Sequence, residues 1–172
     1  MNHAVLYVRD ARRQQAFYEE VLGFETIVAD PAGGYVFMRA PGSSNHHDLA
    51  CFTIGPDAGP STAGRAQVGL YHLAWEVSTL EDLEAHRVRL QAAGALHGMS
   101  DHGVNKSLYA KDPDGIEFEV MWLTPPHLWG DEEHQAIIRS LDIASDMARY
   151  GGDLVSTTHA APATGTNSED SQ

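Results

Sequence analysis

The chain contains an internal duplication, in which one order of predicted elements occurs twice. A strand-like run begins at His3, and a second run of similar composition begins at His72. A predicted helix follows each run, capped by Asp10 in the first half and by a capping box of Ser78 and Glu81 in the second. Short strands separated by Gly- and Pro-rich turns complete each half.

We interpret the halves as two tandem βαβββ modules, residues 1–66 and 67–124, which together form one α+β domain. With 172 residues, of which 42% are hydrophobic, the chain can bury a core of this size. The predicted strands are residues 3–8, 24–29, 35–40 and 46–54 in the first module and 72–77, 95–99, 107–111 and 116–123 in the second.

A C-terminal extension, residues 125–152, follows the second module. Within it, residues 131–150 are predicted to form one amphipathic helix with an apolar stripe of Ile137, Leu141, Ala144 and Ala148. Such a stripe has to be covered by this chain or by another, and closed two-fold dimers are the commonest oligomers. We therefore predict a homodimer. Residues 153–172 are predicted to be a disordered tail.

Composition limits the partners and the compartment. Eleven basic and twenty-four acidic residues give a formal charge of −13, which argues against nucleic acid or an anionic membrane as a partner. The sequence shows no apolar run long enough to span a bilayer and no signal peptide. Its single cysteine, Cys51, excludes an intramolecular disulfide. We expect a cytoplasmic protein.

Three candidate metal ligands lie on predicted strands. His3 and His72 open equivalent strands of the two modules, and Glu119 lies on the last strand. Each one taken alone could be an ordinary strand residue, but their equivalent positions favour a shared site. Two neutral imidazoles and one carboxylate can hold a divalent ion on one side and leave the other coordination positions open. Open positions predict chemistry on a bound small molecule.

The turn Asp112-Pro-Asp-Gly115, followed by Glu119, resembles a fragment of the vicinal oxygen chelate superfamily, which includes glyoxalases, bleomycin resistance proteins and extradiol dioxygenases. The resemblance covers about residues 2–124. Members of that superfamily pair βαβββ modules into an open barrel around one metal ion. The resemblance implies that His3, His72 and Glu119 are the metal ligands.

Within that superfamily, residues 46–50 and 101–119 are similar to type I extradiol ring-cleavage dioxygenases, with Ser100 as a departure from the usual spacing pattern. This similarity implies a catechol-like aromatic substrate and O₂. It implies Fe(II) as the expected metal, although the same ligands could hold Mn(II), Ni(II) or Zn(II). His47 would be the acid/base group, while His102 and Tyr109 would hydrogen-bond the substrate or the ring-opened intermediate.

The implied roles agree with elementary chemistry. A catechol occupies two coordination positions and O₂ a third, and three protein ligands on a six-coordinate ion leave that number free. A histidine, with an ordinary pKa of about 6.5, suits the proton transfers assigned to His47. A buried tyrosine hydroxyl such as that of Tyr109 can donate to an anionic substrate oxygen.

Other functions remain open. A glyoxalase-type isomerase or lyase would need a fourth ligand, commonly a Glu on the last strand of the first module, where Asp48 is the only carboxylate within residues 46–54. A metal-dependent thiol transferase acting on an antibiotic shares the three ligands, although no cationic pocket is evident. A metal-free module that binds an aromatic drug would lack these ligands altogether.

Overall fold

The computed structural model describes residues 2–64 and 66–156. Its elements run strand, helix and three strands, twice in succession, as the duplication predicts. The first module consists of β1 (Ala4–Val8), α1 (Ala11–Leu22), β2 (Glu25–Ala29), β3 (Tyr35–Arg39) and β4 (Leu49–Thr53). The second consists of β5 (Leu73–Glu76), α2 (Leu80–Ala92), β6 (Leu96–Asp101), β7 (Asn105–Lys111) and β8 (Glu117–Leu123). The α+β class with tandem βαβββ modules is confirmed.

Each module forms its own four-stranded mixed sheet. The strand order is β1-β4-β3-β2 in the first sheet and β5-β8-β7-β6 in the second. The first strand of each module runs parallel to the last one, and the remaining pairs are antiparallel. Within the described residues no ladder joins the two sheets, so they remain separate rather than closing into one barrel.

The helix starts follow the predicted capping logic. The Asp10 side chain accepts hydrogen bonds from the backbone N–H groups of Arg12 and Arg13 at the start of α1. The capping box of α2 is formed by Thr79 and Asp82, one residue after the predicted pair. Ends of elements shift by a residue or so because neighbouring polar residues can supply the same cap.

The two modules share one core. Phe17 and Tyr18 of α1 pack against Phe118 of β8, both with ring centroids 6.0 Å apart, and Phe24 packs edge-on against Trp75 at 5.2 Å. The Asp112–Gly115 turn also joins the modules, because Asp114 of that turn forms a 3.0 Å ion pair with Arg9 and accepts a hydrogen bond from Gln14. Helix α1 of the first module thus packs against both α2 and β8 of the second.

The prediction of one helix over residues 131–150 is wrong. Two short 3₁₀ turns, Pro126–Leu128 and Gly130–His134, precede an extended segment, and α3 spans only Ile143–Tyr150. The extended part pairs with β6 through Asp101 and Arg139, which competes with helix formation. Of the predicted stripe, Leu141 is buried by this chain, while Ala144 and Ala148 are exposed. The chain itself therefore covers only part of the predicted stripe.

The extension is anchored on the second module. Lys106 of β7 is fully buried, and its Nζ lies 2.5 Å from Asp101 and 3.6 Å from Asp146 of α3. The predicted tail also begins later than residue 153, since Leu154 O accepts a hydrogen bond from Trp122 and Ser156 contacts Ser78 and Glu76. The rest of that prediction, residues 157–172, lies outside the described residues.

None of the helices in the described ranges is long and apolar enough to cross a membrane.

Candidate metal centre

Two of the three candidate ligands meet on the open face of the second sheet. Parallel pairing of β5 with β8 places Ala74 opposite Glu119, and His72 lies two residues before Ala74, on the same face. Nε2 of His72 lies 3.2 Å from Oε2 of Glu119. Glu119 is only 6% exposed, whereas His72 is about a quarter exposed. An imidazole and a carboxylate are therefore directed at one point near the surface.

The predicted substrate-binding residues adjoin this pair. Antiparallel pairing of β7 with β8 sets Tyr109 directly opposite Glu119. The Tyr109 ring centroid lies 5.8 Å from that of His72, and its hydroxyl is 2.9 Å from Nε2 of His102. Burial raises the pKa of Tyr109, and the neighbouring Glu119 carboxylate raises it further. Tyr109 is therefore a protonated phenol at neutral pH.

The other two predicted residues lie together on the first module. The rings of His3 and His47 are 4.6 Å apart, and His47 also meets the Phe37 ring edge-on at 5.1 Å. The predicted strand 46–54 begins only at Leu49, so His47 lies in the loop before β4. Desolvation lowers the pKa of His47, and the nearby His3 and His46 lower it further.

The two halves of the candidate site do not meet within the chain. Across residues 2–64 and 66–156, no group of three His, Cys, Asp or Glu side chains is placed to share one ion. His3 precedes β1 of the first sheet, whereas His72 precedes β5 and Glu119 lies on β8 of the second, and no ladder within the described residues joins the two sheets. The donor types suit a divalent metal, yet one chain brings only two of the three donors together.

The fourth-ligand position of a glyoxalase-type centre is not available. Asp48 is 7% exposed, and its carboxylate accepts hydrogen bonds from the Ala40 backbone, Ser43 and Asn45. These hydrogen bonds connect the two ends of the loop that precedes β4. A carboxylate committed to three local donors is not free to ligate an ion.

Sequence reasoning missed an aromatic face beside His47. Tyr7, Tyr35 and Phe52 occupy paired positions on one face of the first sheet, next to Phe37. The rings of Tyr35, Phe37 and Phe52 pack edge-on or tilted against one another at centroid distances of 5.7 to 6.0 Å, and Tyr7 is 75% exposed. The alternation of Tyr35 and Phe37 on β3 was the available signal. This face could cover a flat aromatic molecule.

A separate cavity of about 270 Å³ lies between the modules, lined by Phe24, Trp75 and Val120 among others. None of the six predicted site residues lines it. It is a packing cleft beside the core rather than part of the candidate centre.

Comparison with known proteins agrees with this architecture. The sequence model of the Glyoxalase/Bleomycin resistance protein/Dioxygenase superfamily matches residues 1–120. Biphenyl-2,3-diol 1,2-dioxygenase 3 of Rhodococcus globerulus is 31% identical over 135 residues, which are 77% of this chain and 68% of that protein. The manganese-dependent 2,3-dihydroxybiphenyl 1,2-dioxygenase of Geobacillus genomosp. 3 is 26% identical over 70% of this chain, which spans only 35% of that enzyme's length.

Among solved structures, a glyoxylase/bleomycin resistance protein/dioxygenase domain from Frankia sp. EAN1pec superimposes with a TM-score of 0.60 at 24% identity. The match covers 72% of this chain and 90% of the Frankia domain. It supports the fold, and the sequence match over most of both modules supports the family. The chain belongs to the glyoxalase/bleomycin resistance protein/dioxygenase superfamily.

Proposed function

We propose that this protein is a metal-dependent ring-cleaving dioxygenase of the extradiol type, which acts on a catechol-like aromatic with O₂. One observation carries the proposal: Tyr109 and His102 are hydrogen-bonded to each other directly beside the His72–Glu119 pair. The names of the two dioxygenase relatives support the same reaction class.

In this proposal His72, Glu119 and His3 hold the divalent ion. When bound, the ion would supply Lewis-acid and redox chemistry for the catechol and O₂. Fe(II) is the redox expectation, and the Geobacillus relative makes Mn(II) the first alternative, ahead of Ni(II) and Zn(II). His102 and Tyr109 orient the substrate hydroxyls, and the His47 imidazole accepts and returns a proton.

We place the third donor, His3, on a second copy of the chain. His3 and His47 lie on the open side of the first sheet, and His72 and Glu119 lie on the open side of the second. A two-fold dimer that sets the first sheet of one copy over the second sheet of the other would assemble two equivalent centres. The exposed aromatic face beside His47 would also be covered in such a dimer.

Subunit mixing tests this arrangement. His3→Ala and Glu119→Ala homodimers should each bind no stoichiometric metal. A heterodimer of the two variants should recover one intact centre, because one interface combines the unchanged His3 of one copy with the unchanged His72 and Glu119 of the other. Unfolding and refolding the variants together, then measuring metal per dimer, checks this. No recovery in a verified heterodimer would place all three donors in one chain.

A direct screen tests the reaction itself. The protein is purified anaerobically, its metal content is measured, and a panel of catechols is assayed for O₂ uptake and for the yellow ring-opened product. We expect O₂ uptake that depends on the metal. A metal-loaded protein that consumes no O₂ with any catechol, but isomerises a hemithioacetal or transfers a thiol, would favour the glyoxalase or thiol-transferase reading. A protein that binds aromatics tightly without metal would be a drug-binding module.

A further inference from the structure

A backbone carbonyl of the C-terminal extension contacts the proposed substrate-binding pair. Nδ1 of His102 lies 2.7 Å from the carbonyl oxygen of Ile137. A carbonyl can only accept, so Nδ1 must carry a hydrogen. In the neutral ring, Nε2 is then an acceptor, and the Tyr109 hydroxyl at 2.9 Å donates to it. The hydrogen-bond direction along this chain of groups is thereby fixed.

The segment that carries Ile137, residues 135–141, is here called the strap. Asp101 and Arg139 exchange two backbone hydrogen bonds of 2.9 Å, and the Arg139 side chain also binds the Asp101 carboxylate at 3.1 Å. A Cβ atom on Gly103 would lie only 2.9 Å from Cδ1 of Ile137, so the strap packs closely against the backbone beside His102. Asp101 is itself held by the buried Lys106. The Ile137 carbonyl is therefore held firmly in place.

We propose that the strap is a positioning element, which locks His102 in the Nδ1–H tautomer and thereby turns Tyr109 into a hydrogen-bond acceptor toward the substrate. The Tyr109 hydrogen is committed to Nε2 of His102, so only the lone pairs of its oxygen remain for a ligand. The group that fits is a protonated aromatic hydroxyl, which donates to Tyr109. This reverses the donor role expected for Tyr109 from the sequence.

The strap lies beyond the part of the chain that the superfamily matches, which ends at residue 120. The statement about the substrate hydroxyl rests on the proposed function, whereas the tautomer of His102 does not.

The tautomer can be read directly from ¹⁵N-labelled, full-length protein at neutral pH. Long-range ¹H–¹⁵N correlation distinguishes a protonated ring nitrogen from an unprotonated one, and the His102 signals are assigned by their loss in His102→Asn. We expect a protonated Nδ1 and an unprotonated Nε2, both without metal and with Zn(II) added. A wild-type His102 that is protonated at Nε2, alone or at both nitrogens, would overturn the proposal.

Two variants test whether the strap or Tyr109 sets the tautomer of His102. Arg139→Pro removes the backbone donor to Asp101 and the side-chain ion pair, and should shift His102 toward the Nε2–H tautomer. The matched control is Ile138→Ala, because Ile138 lies on the same strap and is 80% exposed. It should leave the His102 signals unchanged.

Tyr109→Phe is the second variant, and it decides the question even when Arg139→Pro does not fold. It removes the donor to Nε2 but leaves the Ile137 carbonyl, so Nδ1 should stay protonated. A switch to the Nε2–H tautomer in Tyr109→Phe would show that Tyr109, not the strap, sets the tautomer. None of these measurements depends on catalytic turnover. An inactive catechol screen would therefore contradict the proposed function alone, whereas a different His102 tautomer would contradict the role of the strap.

Discussion

Replacing Glu119 with alanine should abolish stoichiometric metal binding while both modules stay folded. The carboxylate is one of three proposed donors, and its described partner is Nε2 of His72 at 3.2 Å. Loss of an outer partner of a ligand typically costs about 10–100-fold in metal affinity, and loss of a ligand itself should cost more. The fold should survive because the side chain lies on the open face, while the backbone ladder of β8 with β5 and β7 is unchanged.

Glu117→Ala provides the matched control for that variant. Glu117 lies two residues earlier on β8, on the same face, and its carboxylate approaches His97 at 3.5 Å rather than His72. The metal content per chain is measured after dialysis, together with the thermal unfolding midpoint. The metal content should fall in Glu119→Ala and not in Glu117→Ala. A folded Glu119→Ala protein with full metal occupancy would remove the three-ligand hypothesis.

The architecture could be predicted from the sequence because its signals are local and repeated. Capping residues such as Asp10, glycine helix stops and alternating apolar strands each act within a few residues, and the duplication supplies them twice. His72 and Glu119 are grouped by their strand positions and by the superfamily resemblance, and parallel pairing of β5 with β8 brings the two together.

Features that depend on competition between distant segments could not be predicted. The stripe that begins at Ile137 has helical spacing, but pairing of Arg139 with Asp101 competes with the helix, and α3 begins only at Ile143. The spacing of apolar residues along a segment carries no information about such a tertiary contact. The Ile137 carbonyl also has no sequence signature, because every residue carries the same backbone group. The separation of His3 from His72 depends on how the sheets associate, which residue patterns leave open.

The second large effect is expected at His47. His47→Ala should retain the metal and still bind catechol, yet lose about 10²–10⁴-fold in turnover, the usual cost of removing an acid/base group. Metal retention is expected because His47 is assigned to proton transfer and His3, its neighbour at 4.6 Å, to the ion. His47→Gln should not restore the rate, since an amide forms hydrogen bonds but does not exchange a proton near neutral pH.

His46→Ala is the matched control for His47→Ala. His46 is the exposed neighbour of His47, and the two Nδ1 atoms are 3.1 Å apart, so both variants remove an imidazole from one loop. Turnover should stay near the wild-type rate in His46→Ala because that ring faces solvent, whereas His47 contacts His3 and Phe37. Metal loss in His47→Ala would instead make His47 a ligand. A wild-type rate in the same variant would mean that the proton is handled elsewhere, with His102 the next residue to test.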